Sequence, residues 1–361
     1  MKFETLQVNL LCDESADDER ETLPKVALEA LSYELARTQY AVMAVDTRDE
    51  VVEGGMVGHR IYMCDLATQQ WELSRKIIPT SVIGHYQFPL TSMLTCMNDG
   101  RVMLCSNRDE DHGIAPRVVI FDPQSSDSSD AAFEVLIDPK KTAHRDQGSL
   151  VTLKDGNVMR IGGESIRGSK SNCALFNPKT KKWAVVGDKE MARASFCVVL
   201  QTGEVLITGG SDGRRIFNGC VLYNAQTNTF RATEGMIHAR KDHAGCLMSN
   251  GNVFICGGTS YTNGDDWCEE YDVATGTWKR RAKLPRASIM HHCALLPDEK
   301  ILISIPRGYS TIFNPATDSF EVALVQKPSG YTTTFVPATN SLETISRNIL
   351  LDVPVRFVDL Y

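Results

Sequence analysis

DGNVMRIGG (155–163), TGEVLITGG (202–210) and NGNVFICGG (250–258) are one phrase written three times. Each opens on a two-residue turn, continues as a short apolar strand and closes on a Gly-Gly pair. An aromatic follows each pair further on, at Trp183, Phe230 and Trp278. The leading glycines, Gly162, Gly209 and Gly257, are 47 and 48 residues apart. A period of that length, carried by short strands, predicts one β-sheet per repeat, arranged as blades around an axis.

Within the three clear repeats the order is constant. An apolar strand such as Phe196 to Leu200 comes first, then a tight turn, then the strand that ends in Gly-Gly. A third strand ends in Phe/Tyr-Asn/Asp, as in CALFNPKTKKW, CVLYNAQTNTF and CEEYDVATGTW, and the fourth opens on Trp or Phe. Four strands joined by hairpins make one twisted antiparallel blade. Weaker copies flank these three: ILISIP and STIFNPATDSF on one side, DGRVMLCSN with VVIFDPQ, then YAVMAVD with RIYMCDLATQQW, on the other.

The ends supply a seventh blade in this reading. YTTTFVP, LETISR and VRFVDLY offer three strands before the chain stops, and MKFETLQVN carries Phe3 where a fourth strand would begin. Counted across the join, Phe320 to Phe3 is 44 residues, close to the 42 from Trp278 to Phe320. Such a clasp would remove the open edges. The expectation is an all-β, seven-bladed propeller forming a single domain over 1–361. Its blades fall at 24–75, 84–136, 142–187, 191–234, 238–282, 287–324, and 328–361 completed by 1–10. Six blades with a loose tail is the alternative. VALEALSYELA (26–36) has helix-forming residues, but the repeat register calls for a strand, and strand is the reading adopted.

Composition narrows the function. The chain is 42% hydrophobic and 23% charged, ordinary for a globular protein. Its formal charge of −7 offers no basic field for nucleic acid or an anionic membrane. The N-terminal stretch lacks the apolar core of a signal peptide, and no segment is long and apolar enough to span a membrane. The 11 cysteines are odd in number, without CxxC spacing, and several (Cys105, Cys197, Cys246, Cys256, Cys293) fall inside predicted strands. With no Asn-x-Ser/Thr acceptor, this favours a reducing, cytoplasmic setting with small apolar thiols in the core, and no zinc cluster.

The Gly pair, the Tyr/Phe after it and the Trp/Phe seven residues later resemble the kelch repeat. The resemblance is strongest over 142–282, at Gly162-Gly163 with Phe176 and Trp183, Gly209-Gly210 with Tyr223 and Phe230, and Gly257-Gly258 with Tyr271 and Trp278. It implies a propeller in which these residues are scaffold. It also implies that the loop face binds partner peptides. The chain in hand has no room at its N-terminus for a BTB or F-box domain, so the expectation is a bare interaction module or adaptor.

Strands alternate in direction, so the loops between blades and the loops after each Gly pair share one face. Arg145, Arg193, Arg240 and Arg286 precede the innermost strands. Glu164, Ser165, Ser211, Asp212, Thr259 and Ser260 follow the second strands, with Arg307 in the sixth blade. Arginine presents a fixed fork of donors matched to carboxylates, so this set is the candidate site for an acidic or polar segment of another protein. The competing reading makes each arginine a strut bonded to a loop carbonyl or to an acid such as Asp242.

Catalytic alternatives carry less. The His291-His292 pair lacks the tyrosine partners of a copper radical oxidase, and neither His144 nor His243 stands in a ligand motif, so no metal or cofactor is expected. No GxSxG, HExxH or P-loop occurs in a supporting context. The remaining enzyme reading is a cofactor-free sugar mutarotase or isomerase acting at the channel mouth with Arg193, Arg240 and Glu164.

Overall fold

Among the described residues six antiparallel sheets of four strands follow one another along the chain, and five of them have the same order, first strand to fourth without a crossover. The computed structural model describes residues 40–45, 50–51, 57–65, 71–79, 93–105, 117–122, 125, 129–137, 148–163, 171–191, 195–260, 266–285, 292–296, 298–304 and 310–323. The clasp of residues 1–10, the seventh blade at 328–361 and the segment 26–36 lie outside these residues.

The second sheet comprises Met93–Cys96, Val102–Cys105, Arg117–Phe121 and Phe133–Ile137. The third comprises Ser149–Thr152, Val158–Ile161, Ser171–Asn177 and Lys182–Met191. The fourth runs Phe196–Val199, Val205–Thr208, Cys220–Asn224 and Thr229–Thr233. The fifth runs Ala244–Leu247, Val253–Cys256, Cys268–Asp272 and Thr277–Arg281. The sixth runs His292–Leu295, Ile301–Ser304, Ser310–Asn314 and Ser319–Ala323. The first strands of sheets two to six stand side by side, as innermost propeller strands do.

The first sheet departs from the pattern. Tyr40–Val45 and Glu50–Val51 both pair with Val57–Asp65, whose other edge takes Trp71–Pro79. The two short pieces together occupy the place of a second strand, interrupted midway. One 3-10 turn, Asp130–Ala132, breaks the strand series, and no helix among the described residues is long and apolar enough to cross a membrane.

Local chemistry explains the repeated phrase. The turn between first and second strands needs a left-handed residue, supplied by Gly100, Gly156, Gly203 and Gly251 at φ of 84° to 89°. The sixth sheet puts Glu299 there, at φ 66°. At the far end of the second strand a Cβ on Gly209 would overlap the Arg240 carbonyl, so only glycine lets this strand end turn against the linker to the next sheet. The Phe/Tyr-Asn/Asp ending has its own cause. Asn177, Asn224, Asp272 and Asn314 each accept backbone N–H groups of the following turn, an Asx turn that reverses the chain into the fourth strand.

The paired aromatics are cross-strand partners within each sheet, with ring centroids 4.7 Å apart for Tyr223 and Phe230 and 5.0 Å for Tyr271 and Trp278. Each pair then packs on the preceding sheet. Tyr271 and Trp278 join the core of Leu206, Cys220 and Leu222 from the fourth sheet, and Phe313 and Phe320 join Phe254 and Cys256 of the fifth. Cys105, Cys173, Cys220, Cys246, Cys256, Cys268 and Cys293 are buried in these inter-sheet cores. Burial raises the Cys246 thiol to about 12 and the Cys173 thiol to about 11, so both stay protonated and act as small apolar groups.

Candidate functional site

After the fourth sheet the chain must cross to the fifth through EGMIHARKDH, and each backbone polar group on the way needs a partner. On one side the loop after Gly209-Gly210 provides them. Met236 N donates to Asn218 O at 2.8 Å, Arg240 N to Phe217 O at 3.1 Å, and Gly210 N to Arg240 O at 2.9 Å. On the other side Lys241 and Thr259 exchange backbone hydrogen bonds of 3.1 and 2.8 Å, joining the linker to the loop after Gly257-Gly258. Three segments from two sheets are thus bonded into one rim, on the face where the second and fourth strands end.

Glu269, in the third strand of the fifth sheet, is the anchor of that rim. It has no exposed surface, and its carboxylate accepts Ile237 N at 2.6 Å and His238 N at 3.1 Å. The same carboxylate pairs with the Arg240 guanidinium at 2.5 Å. Arg240 is itself fully buried and donates to the carbonyls of Gly257 and Trp267, both at 2.8 Å. The sequence offered Arg240 both as a ligand-facing candidate and as a strut. It is a strut, bonded to two loop carbonyls and to Glu269 rather than to Asp242. The mutarotase reading loses one of its named groups with it.

Ser211 and Asp212 build the neighbouring loop. Ser211 is buried, accepts Gly213 N at 3.0 Å and bridges to Ile216 through the backbone. Asp212 accepts Arg215 N at 2.7 Å and Arg214 N at 2.9 Å, and these backbone bonds hold its carboxyl below the ordinary range. The loop so fixed presents Arg214 and Arg215 to solvent, with the Arg215 guanidinium 5.7 Å from the Phe217 ring centroid.

The outer part of the rim is aromatic and cationic. His238 stacks on Trp267 at 5.3 Å with 10° between the planes. Lys283 Nζ lies 4.0 Å from the Trp267 ring centroid and the Arg280 guanidinium 4.9 Å. Asp266 holds Lys283 at 3.1 Å. Next to this stack Ile237 is 41% exposed, one of three large apolar side chains so open among the described residues.

Of the remaining residues singled out in the sequence, Ser260 and Thr259 are half-buried on the rim. Arg145, Arg193, Arg286, Arg307, Glu164 and Ser165 lie outside the described residues, as do His144 and His291. His243 is buried across the boundary between sheets, with Nε2 2.8 Å from Thr208 Oγ1. Sequence reasoning missed Ile237, His238, Trp267 and the Arg214-Arg215 pair. All stand in the segments that vary between repeats, where period and alternation carry no information.

A blade order repeated sheet after sheet, with innermost strands adjacent, is that of a β-propeller. The kelch motif model matches residues 240–285, from Arg240 through all four strands of the fifth sheet. No curated protein matches it.

Proposed function

We propose that the chain is a protein-interaction module of the cytoplasm that takes up an acidic or polar segment of another protein on this loop face. Kelch repeats are in general protein-interaction modules. The observation that carries the reading here is the rim itself. Loops from two sheets are tied to one linker by backbone bonds, so Ile237, Trp267, Arg214 and Arg215 are held by rigid elements before any partner arrives. An exposed isoleucine beside a half-buried tryptophan, ringed by arginine and lysine, has the composition of interaction hot spots. In the repeat register Arg145, Arg193, Arg286, Arg307 and Glu164 would extend the same rim to the other blades. The proposal includes closure as seven blades, with residues 1–10 completing the last.

Selection of a random peptide display library on the full chain tests this. Enriched peptides should be rich in Asp and Glu. Trp267→Ala and the double variant Arg214→Ala/Arg215→Ala should each weaken them at least about tenfold, at an unchanged melting temperature. Peptides that bind both variants as well as the parent would move the site to another surface.

A further inference from the structure

Cys256 closes the second strand of the fifth sheet, and Cys293 is the second residue of the first strand of the sixth. Their sulfurs lie 3.4 Å apart, across the boundary between two sheets. The pairing registers allow the same two positions to be located at the boundaries between sheets two and six. They carry Cys105 and Leu150 between sheets two and three, Ile161 and Cys197 between three and four, and Thr208 and Gly245 between four and five. Only between the fifth and sixth sheets, among those described, do both positions hold a thiol. Both thiols are buried and belong to one apolar cluster with Phe254, Leu284, Ile303 and Phe313, which also holds Cys246 and Cys268.

We propose that Cys256 and Cys293 form a latent modification site, a cross-link between the fifth and sixth sheets made by peroxide-class oxidants. A disulfide would require the sulfurs to close by only about 1.3 Å. The chemistry runs in two steps. Peroxide first converts one thiol to a sulfenic acid, its O–O bond breaking as one water is released. The second thiol then attacks that sulfur, an S–S bond forms, the S–O bond breaks, and the departing oxygen leaves as water with the second thiol's proton. Two thiols and one peroxide give one disulfide and two waters, the two electrons passing from sulfur to oxygen.

Burial raises both thiols above their ordinary value, so the attacking thiolate is scarce while the boundary is closed. The cross-link is therefore expected to form slowly in the closed protein and faster where urea raises the population of the opened boundary. Cys268 is the internal competitor. It stands directly opposite Cys256 in the ladder of the fifth sheet, so Cys256 has a choice between a bond within one sheet and a bond between two.

The test uses the full reduced chain treated with hydrogen peroxide, in native buffer and in urea below the unfolding transition. Remaining thiols are alkylated, and the digest is mapped by mass spectrometry without reduction. The expected product is a peptide pair joined at Cys256 and Cys293, two hydrogens lighter than the sum of its parts. Closing a loop between residues 37 apart should raise the melting temperature by about 5 °C, reversibly with dithiothreitol. Cys293→Ser should abolish both the joined peptide and the shift, whereas Cys268→Ser should keep both. A Cys256–Cys268 bond, sulfinic acids at either position, or alkylated Cys256 and Cys293 under both conditions would overturn the proposal.

Discussion

The fourth and fifth sheets have the same strand order and the same cross-strand aromatic pair, yet their third strands differ at two adjacent positions. Val221 and Leu222 stand where the fifth sheet has Glu269 and Glu270. The pleat points the first of each pair toward the preceding sheet and the second toward the following one. Val221 packs into the core shared with the third sheet, and Leu222 into the core shared with the fifth. Glu269 turns instead to the linker from the fourth sheet. Glu270 takes Asn252, Lys279 and Arg281, and Arg281 goes on to Asp318 and Pro315 O of the sixth. One backbone thus supports an apolar pair or an ionic one at these two positions, within boundaries that are otherwise apolar. The ionic one gains a property the other lacks, because a buried carboxylate aims its partners, and that aim fixes the linker carrying Ile237 and His238.

The largest test of this contrast removes the buried charge pair. Arg240→Leu leaves Glu269 buried without its cation and should cost about 3–5 kcal/mol in urea unfolding. Adding Glu269→Val, the residue of the fourth sheet, should return the protein to within about 2 kcal/mol of the parent. The residue of that loss is the two amides of Ile237 and His238 that no longer have an acceptor. A single variant as stable as the parent would show that Arg240 is not a strut and would reopen it as a ligand contact.

A smaller difference separates the two tyrosines. Tyr271 Oη lies 2.6 Å from Thr233 Oγ1 of the neighbouring sheet, whereas Tyr223 Oη reaches Asn228 within its own turn at 3.2 Å. Tyr271→Phe should lower stability by about 1 kcal/mol and Tyr223→Phe by about half that, read from the same unfolding curves. Equal losses would mean that the bond between sheets has no special weight.

The least effect concerns pH. The turn of the fifth sheet is closed by Asp272 and that of the fourth by Asn224. The Thr275 amide bonded to Asp272 holds that carboxyl below its ordinary value of 3.8. A depressed folded-state pKa stabilises above the unfolded value and is lost as pH falls through the folded one. Lowering the pH from 5 toward 2 should therefore shift the Thr275 amide resonance while leaving Thr227, bonded to the untitratable Asn224, in place. Parallel movement of both amides would assign the change to general acid unfolding instead.

Much of the fold was legible because it is repeated. The Asp/Thr/Asn-Gly turn, the Gly pair and the Phe/Tyr-Asn/Asp ending each answer a backbone requirement that recurs in the third, fourth and fifth sheets, so the requirement appears in the letters. The aromatic spacing likewise encodes a cross-strand pair. The Arg240 strut was weighed as an alternative to a ligand contact, but its partner was not identified. CEEYD looks like any other third strand until the neighbouring linker is placed beside it.

The sequence alone determined a kelch-type blade, its four strands and their order, because hydrogen-bonded turns and alternating apolar residues are local matters decided within a dozen positions. Tertiary structure decided which polar residues are spent inside. Arg240 and Glu269 are 29 residues apart in the chain and in contact in space, and only that contact removes both from water. It also decided that Trp267 meets His238, Arg280 and Lys283, and that Cys256 meets Cys293. These encounters join different strands, linkers and sheets, and a repeat period constrains the spacing of blades but not the side chains with which neighbouring blades meet.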